Sequence, residues 1–317
     1  MGGRVLVVGS YNQDHVWSTD ALPAPGATRL GRYATGPGGK GFNQAVAAAR
    51  AGANTVFIAA LGDDAAAAQA RRLATADGID LRDQVCPGLA TGCAGIYVDA
   101  DGRNMILVAP GANAALSADF VLAQQDALDS AGVLLAQLEV APEAVLAALQ
   151  AGRERGALTL LNPAPADAPT SAALLQAADL LTPNETEFAA LLARHAGREL
   201  AAEQLATLDE GALHDACRAL APQASVVLTL GADGAFVSHG HHRHGDTRGY
   251  YRAPAAPADT VDTTGAGDAF SGALAAALAG GMTPFAEAVA FANRYAARST
   301  ERAGAALAMP RLDELDG

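Results

Sequence analysis

The stretch Thr260-Val261-Asp262-Thr263-Thr264-Gly265-Ala266-Gly267-Asp268-Ala269-Phe270 joins a turn of small residues to a strongly helical run, and its residue types suit chemistry on an anion. Gly265 and Gly267 carry no side chain to hold a bulky anion off the backbone, and the Ala-rich segment 269–278 reads as a helix beginning at this turn. A helix N-terminus offers unpaired N–H donors and about half a positive charge, which stabilises a phosphate that gains charge in a transition state. Asp268 has two readings. As a carboxylate in a first helical turn it complements the dipole, worth roughly 0.3–1 kcal/mol at a surface. As a general base beside an anion hole, it completes the pairing that phosphoryl transfer to an alcohol requires. The turn alone leaves a phosphate site and a structural helix start equally open.

Other polar residues stand at strand ends, where ligands of open α/β sheets gather. The run Val5-Leu6-Val7-Val8-Gly9 reads as a strand buried on both faces, followed by Asn12 and Asp14, which suit either a hydroxylated ligand or an ordinary turn. Gly36-Pro37-Gly38-Gly39-Lys40-Gly41-Phe42-Asn43-Gln44 precedes a helical run over 45–51. It is not a P-loop, because Gly41 and not Ser or Thr follows Lys40. Close backbone approach to a small polar ligand, with Lys40 and Asn43 as donors, and a flexible surface loop both account for its glycines. Glu139 ends the strand predicted over 133–138, and Pro142 opens the next helix at N1. In Thr182-Pro183-Asn184-Glu185-Thr186-Glu187 the trio Thr182, Pro183 and Glu185 reads as a capping box, leaving Asn184 and Glu187 over, able to orient phosphates and hold Mg²⁺ through water. The strand 226–230 closes on Gly231, and Gly234 permits a tight return that passes close under an adenosine. His239, His241, His242 and His244 surround Gly240 and Arg243 at a hairpin tip and read as a solvated loop, since no acidic or Cys partner completes a metal site.

The elements that must position these groups follow a β-α alternation, with a strand at 54–60 and a helix at 63–76. A helix from an N-cap at Ser117 to 128, a strand at 158–161 and a helix at 284–299 continue it. The alternation is interrupted by two strand-like stretches, 94–98 and 104–108, around the turn Asp99-Ala100-Asp101-Gly102. With a strand near Tyr33 they predict a small sheet apart from the main one, either a lid over the ligand or an edge decoration. The chain has 317 residues, half of them hydrophobic but only 5% aromatic, which favours many closely packed helices over a β sandwich. A formal charge of −13 argues against nucleic acid or an anionic membrane as the main partner. Cys86, Cys93 and Cys217 show no metal-ligand spacing and read as reduced thiols in a cytoplasmic setting; the sequence predicts no signal peptide and no membrane span.

Several motifs agree in order and spacing, and the chain resembles the ribokinase-like (PfkB-type) carbohydrate kinase family. The residues that carry this are 9–15, 38–47, 111–117, Asn162-Pro163-Ala164-Pro165, 182–187 and Asp262-Thr263-Thr264-Gly265-Ala266-Gly267-Asp268. The resemblance implies a three-layer α/β/α sandwich with a mostly parallel central sheet. One kinase domain would span 1–317, with a β lid formed by segments near 11–40 and 93–110 that also clasps a homodimer. It implies ATP-dependent phosphorylation of D-ribose at O5, the alternatives being a kinase for another sugar or nucleoside, or a sugar-binding regulator without catalysis. By the same resemblance Asn12, Asp14, Gly39, Lys40, Asn43 and Glu139 hold the sugar, Asp268 is the base, and Gly265, Ala266 and Gly267 form the anion hole. Asn184, Thr229, Gly231, Gly234 and Asn293 fall on the nucleotide side, and Glu187 acts on hydrated Mg²⁺. Asp262, Thr264, Ser299, Arg302 and Gly304 fall where activating K⁺ is held, largely through backbone oxygens. Two departures stand out: Ala308 replaces a Ser commonly used as a further cation ligand, and Phe42 replaces a small residue beside Asn43, which bears on the sugar pocket.

Overall fold

The computed structural model describes residues 3–315. Its strands are β1 (Arg4–Val8), β2 (Asn12–Ser18), β3 (Arg32–Gly38), β4 (Asn54–Leu61), β5 (Asp80–Val85), β6 (Cys93–Val98), β7 (Asn104–Ala109), β8 (Val133–Ala136), β9 (Leu158–Leu161), β10 (Leu180–Leu181), β11 (Ser225–Thr229), β12 (Ala235–Ser238) and β13 (Tyr250–Ala253). The helices are α1 (Lys40–Arg50), α2 (Ala65–Ala76), α3 (Ala118–Ala123), α4 (Gln125–Ser130), α5 (Pro142–Glu154), α6 (Ala172–Ala177), α7 (Glu185–Ala196), α8 (Ala202–Leu205), α9 (Glu210–Leu220), α10 (Ala266–Ala279) and α11 (Phe285–Ser299).

The main sheet has the order β13-β12-β11-β10-β9-β8-β1-β4-β5, parallel from β5 to β11 and antiparallel across β11–β12 and β12–β13. Continuous apolar runs such as Val5-Leu6-Val7-Val8 form its centre because both faces are covered. Leu6 and Val8 join the core beneath α3 to α9, whereas Val5 and Val7 join the core beneath α1, α2, α10 and α11. The alternation of a strand thus divides one run between two layers, each fully buried Leu or Val contributing roughly 1.5–3 kcal/mol of burial. Helices α1 and α10 approach unusually closely. A Cβ on Gly272 would stand 2.5 Å from the Gln44 carbonyl oxygen and 2.6 Å from the Ala47 methyl, so only glycine admits this contact.

The second sheet has the order β3-β2-β6-β7. It is mixed, because β2 pairs with β3 antiparallel and with β6 parallel, while β6 and β7 form the expected hairpin. Asp99 closes that hairpin's turn, accepting from the Asp101 and Arg103 amides.

Three local expectations are corrected. The helix predicted over 45–51 begins at Lys40, because Gly39 takes a left-handed φ of 86° that turns the chain out of β3 directly into α1. The helix predicted from Ser117 to residue 128 is two short helices parted at Gln124, although Ser117 caps the first as expected. The histidine loop is only partly solvated. His239 is buried with its Nε2 2.9 Å from Asp246 Oδ2, the Tyr251 hydroxyl donates to that same oxygen at 2.6 Å, and the Ala286 amide donates to Asp246 Oδ1. Burial lowers the pKa of His239 in spite of Asp246, so the ring is a neutral structural donor. The acidic partner was hidden from sequence reasoning by lying beyond the hairpin tip. Among the described residues no cluster suits a metal ion held by three or more His, Cys, Asp or Glu ligands, and no helix is long and apolar enough to cross a membrane.

Candidate active site

The carboxyl ends of β1, β8, β9, β10 and β11 face the N-terminus of α10, and the site is built in that gap. Gly265 stands before α10 with a left-handed φ of 78°, the conformation that lets the Asp262–Thr264 turn run straight into the helix. The Asp262 carboxylate fixes the turn by accepting from the Thr264 amide and hydroxyl and from the Gly304 amide. The helix begins at Ala266, within the turn as expected, and Asp268 falls in its first turn. Its first amides divide. The Ala266 amide donates to the Thr263 carbonyl at 3.1 Å, which removes it from the expected anion hole of Gly265, Ala266 and Gly267. The amides of Gly265, Gly267 and Asp268 have no acceptor among the described residues, and these three are what the helix presents to an anion.

Asp268 is 5% exposed, with Oδ2 accepting from Asn43 Nδ2 at 2.9 Å and Oδ1 from Gln44 Nε2 at 3.0 Å. Burial pushes its pKa upward, while the Lys40 ammonium and the two amide donors pull it down. The outcome above the ordinary aspartate value makes it a stronger base than a surface carboxylate. Lys40 faces Asp268, Glu139 and Glu187; burial works against its charge, but the three carboxylates outweigh that and raise its pKa.

Two cavities meet at this helix end. The larger, about 620 Å³, is lined by Asn184, Thr229, Gly231, Gly234 and Asn293 together with Ala266 and Gly267. All five residues expected on the nucleotide side therefore share one chamber, whose size suits a nucleotide. The smaller, about 130 Å³, holds Lys40, Asn162, Thr182, Glu187 and Asp268 and shares Asn184, Thr229, Gly267 and Thr263 with the first. Asn184 and Glu187 are the actual capping box of α7: Asn184 Oδ1 accepts from the Glu187 amide, and Glu187 Oε2 accepts from the Asn184 amide. The box predicted at Thr182, Pro183 and Glu185 is displaced by two residues, because β10 ends at Leu181 and the chain stays extended through Asn184; Thr182 bonds Ser271 instead. Capping uses only one carboxylate oxygen, and Glu187 is also among the residues that line the small cavity.

The remaining residues expected on the sugar side lie around the start of β2 and α1. Asn12 is oriented by Asn113, whose Nδ2 donates to its Oδ1. Glu139 Oε2 accepts from the Ser10 hydroxyl and the Lys40 amide. Asn43 Oδ1 is buried with no hydrogen-bond partner among the described residues. Phe42 is the exception to the expected pocket. Its ring turns into the core, edge-on to Tyr11 at 5.1 Å and near Phe57, so it leaves the sugar side unaltered. At the cation-side positions, the Val261 and Asp262 amides both donate to the Thr300 carbonyl, tying the loop of Asp262 and Thr264 to the helix end that carries Ser299; Arg302 is exposed, and Ala308 is buried and supplies no side-chain oxygen. The residue whose role sequence reasoning missed is Gln44. It follows Asn43 on α1, and both side-chain amides reach the one carboxylate.

A three-layer α/β fold with a dry carboxylate at a glycine-opened helix end, between a nucleotide-sized chamber and a polar acceptor pocket, defines a phosphotransferase acting on small hydroxylated molecules. Residues 3–312 match the pfkB family of carbohydrate kinases, and the chain belongs to that family. It is 37% identical to the ribokinase of Haemophilus influenzae over 99% of this chain and 97% of that one. In three dimensions it is similar to the ribokinase of Giardia lamblia, with a TM-score of 0.86 at 27% identity over 99% of both chains. It is also similar to the Arabidopsis thaliana ribokinase complexed with ribose and ATP, with a TM-score of 0.80 at 28% identity over 99% of this chain and 98% of that one.

Asp14 yields a test of the sugar side. Burial first, then Glu139 and Asp268, push its carboxyl from 3.8 up to about 7. Between those values the folded chain binds more protons than the unfolded one, so stability falls as pH rises through that window, by at most roughly 4 kcal/mol. Asp14→Asn should flatten this slope in thermal unfolding measured against pH and stabilise the free protein at neutral pH, while weakening sugar binding. An unchanged slope would show that Asp14 is not charged against its neighbours.

Proposed function

We propose that the protein transfers the γ-phosphoryl group of ATP to O5 of D-ribose, giving ribose 5-phosphate and ADP. The observation that carries this reading is the placement of Asp268, buried and hydrogen-bonded, beside three unpaired amides where the two cavities join. The relatives named ribokinase support ribose as the acceptor, and the inward turn of Phe42 removes the one sequence feature that argued for a reshaped pocket.

In this reading Asn12, Asp14, Gly39, Lys40, Asn43 and Glu139 hold the sugar so that its primary hydroxyl faces Asp268. Asp268 takes the hydroxyl proton as the oxygen attacks the γ-phosphorus; the new O–P bond forms while the bond to the ADP oxygen breaks, and ADP leaves with that electron pair. The amides of Gly265, Gly267 and Asp268 stabilise the charge on the transferring group. Asn184, Thr229, Gly231, Gly234 and Asn293 hold ATP. A single free Glu187 oxygen fits Mg²⁺ held mainly by phosphates and water, and bound Mg²⁺ neutralises phosphate charge. K⁺ beside the Asp262 loop, held through backbone oxygens of Asp262, Thr264, Ser299, Arg302 and Gly304, is a further part of the proposal. The small sheet acts as a lid on a single kinase domain, and the three free cysteines suit a reducing cytoplasmic setting.

Turnover of ribose should fall on the order of 10²–10⁴-fold in Asp268→Asn with sugar binding retained. Near-native turnover in that variant, or a better kcat/KM for another sugar or a nucleoside in a substrate panel, would overturn the corresponding part of the reading. Replacing Na⁺ by K⁺ in the same assay should raise turnover; equal rates in the two salts would remove K⁺ from the proposal.

The lid also supports a homodimer. Strand β7 is a free sheet edge with all six residues exposed, Leu107 at 78% and Met105 at 58%. Unpaired apolar edges of this kind are covered by a second chain or they aggregate. Sedimentation should find a dimer in the native chain and a monomer in Leu107→Glu; a monomeric native chain would sink the assignment.

A further inference from the structure

The side-chain amides behind Asp268 form a chain whose orientations follow from one backbone carbonyl. The Thr182 carbonyl can only accept, so Asn162 Nδ2, 2.8 Å away, donates to it and Asn162 Oδ1 faces the other way as an acceptor. Gln44 Nε2 lies 3.0 Å from that oxygen and 3.0 Å from Asp268 Oδ1, which commits both of its protons. Gln44 Oε1 accepts from Gln137 Nε2 at 2.6 Å. Every polar atom of the Gln44 amide is thus paired, and a flip would set its oxygen against two acceptors. Gln44 and Gln137 are fully buried and Asn162 is 5% exposed, so water cannot rescue a wrong orientation. Neither Gln44 nor Gln137 lines either cavity. Gln44 differs from Asn43, which holds the other Asp268 oxygen but keeps its own Oδ1 unpaired, as Gln137 keeps its Oε1.

We propose that Gln44 is a positioning residue for phosphoryl transfer, acting only through Asp268, with its orientation imposed by Asn162 and Gln137. This rests on Asp268 being the base. Two consequences follow from the geometry. The N–H of Gln44 holds Oδ1 in place, so the lone pairs that Gln44 and Asn43 leave free are those offered to the acceptor hydroxyl. The same N–H favours the charged carboxylate and opposes the rise that burial imposes on its pKa.

The test uses the full chain with Gln44→Met, Gln137→Met and Asp268→Asn, measuring kcat, KM for ribose and ATP, the acid limb of kcat against pH, and thermal unfolding. Gln44→Met should lower kcat on the order of 10–100-fold with both KM values within about threefold of native, because the carboxylate is displaced and not the ligands. The acid limb should move up by about one pH unit as a donor to the charged form is lost. Gln137→Met, which leaves Gln44 in place but frees its amide to turn, should move kcat and the acid limb the same way by a smaller amount. Native kcat and acid limb in Gln44→Met overturn the proposal, as does a rise in KM without a fall in kcat. Should Gln44→Met not fold, a native acid limb in Gln137→Met overturns it equally. High turnover in Asp268→Asn is a different failure, that of the base assignment itself.

Discussion

A carboxylate can keep its charge away from water only where donors face it, and the pairing of Asp268 with two side-chain amides and an ammonium is the condition the rest of the site obeys. Asn43 and Gln44 reach it from α1, so α1 must lie closer to α10 than side chains normally permit. The bare Cα of Gly272 under the Gln44 carbonyl is the local answer. Helix α1 must also begin early enough for residue 43 to fall in its first turns, which the left-handed Gly39 arranges. The same turns bring Lys40 opposite Asp268, Glu139 and Glu187. A loop in place of these first turns would leave the charge without its partners.

The parallel sheet explains how residues distant in sequence converge. Strands β1, β8, β9, β10 and β11 all point the same way, and each delivers polar residues just past its carboxyl end: Asn12, Gln137 and Glu139, Asn162, Thr182 and Asn184, then the Thr229–Gly231 turn. Because neighbouring strands lie under 5 Å apart, a row of five strand ends is about the width of a nucleotide with its acceptor. Helix α10 closes the row from the other side, and its unpaired amides supply the positive potential that the surrounding carboxylates lack.

Much of this was legible in the sequence. Apolar runs at the strands, glycines at the turns, Pro142 at a helix start and the 262–268 stretch each carry a local cause that a sequence displays. The errors arose where residue types alone leave the deciding geometry open. The capping box slid by two residues because the spacing of Thr182, Pro183 and Glu185 satisfies the same rule as Asn184 and Glu187, and only the length of β10 chooses between them. Phe42 was assigned to the pocket from its neighbour in sequence, whereas successive residues of a helix point about 100° apart and its ring follows Tyr11 into the core. Ala266 was counted among the free amides although a tight turn to Thr263 claims it. Gln44 drew no role because its meaning lies in Asn162 and Gln137, each about a hundred residues away.

Around the Lys40 ammonium stand three carboxylates, Glu139, Glu187 and Asp268, and Asp14 interacts with two of them. A neutral sugar meets acceptors in excess for its hydroxyls there. Once it bears a phosphate, the carboxylates weigh against it, opposed by Lys40 and the α10 amides. An excess of negative charge thus disfavours ligands that arrive with a phosphate of their own, without any residue devoted to that task.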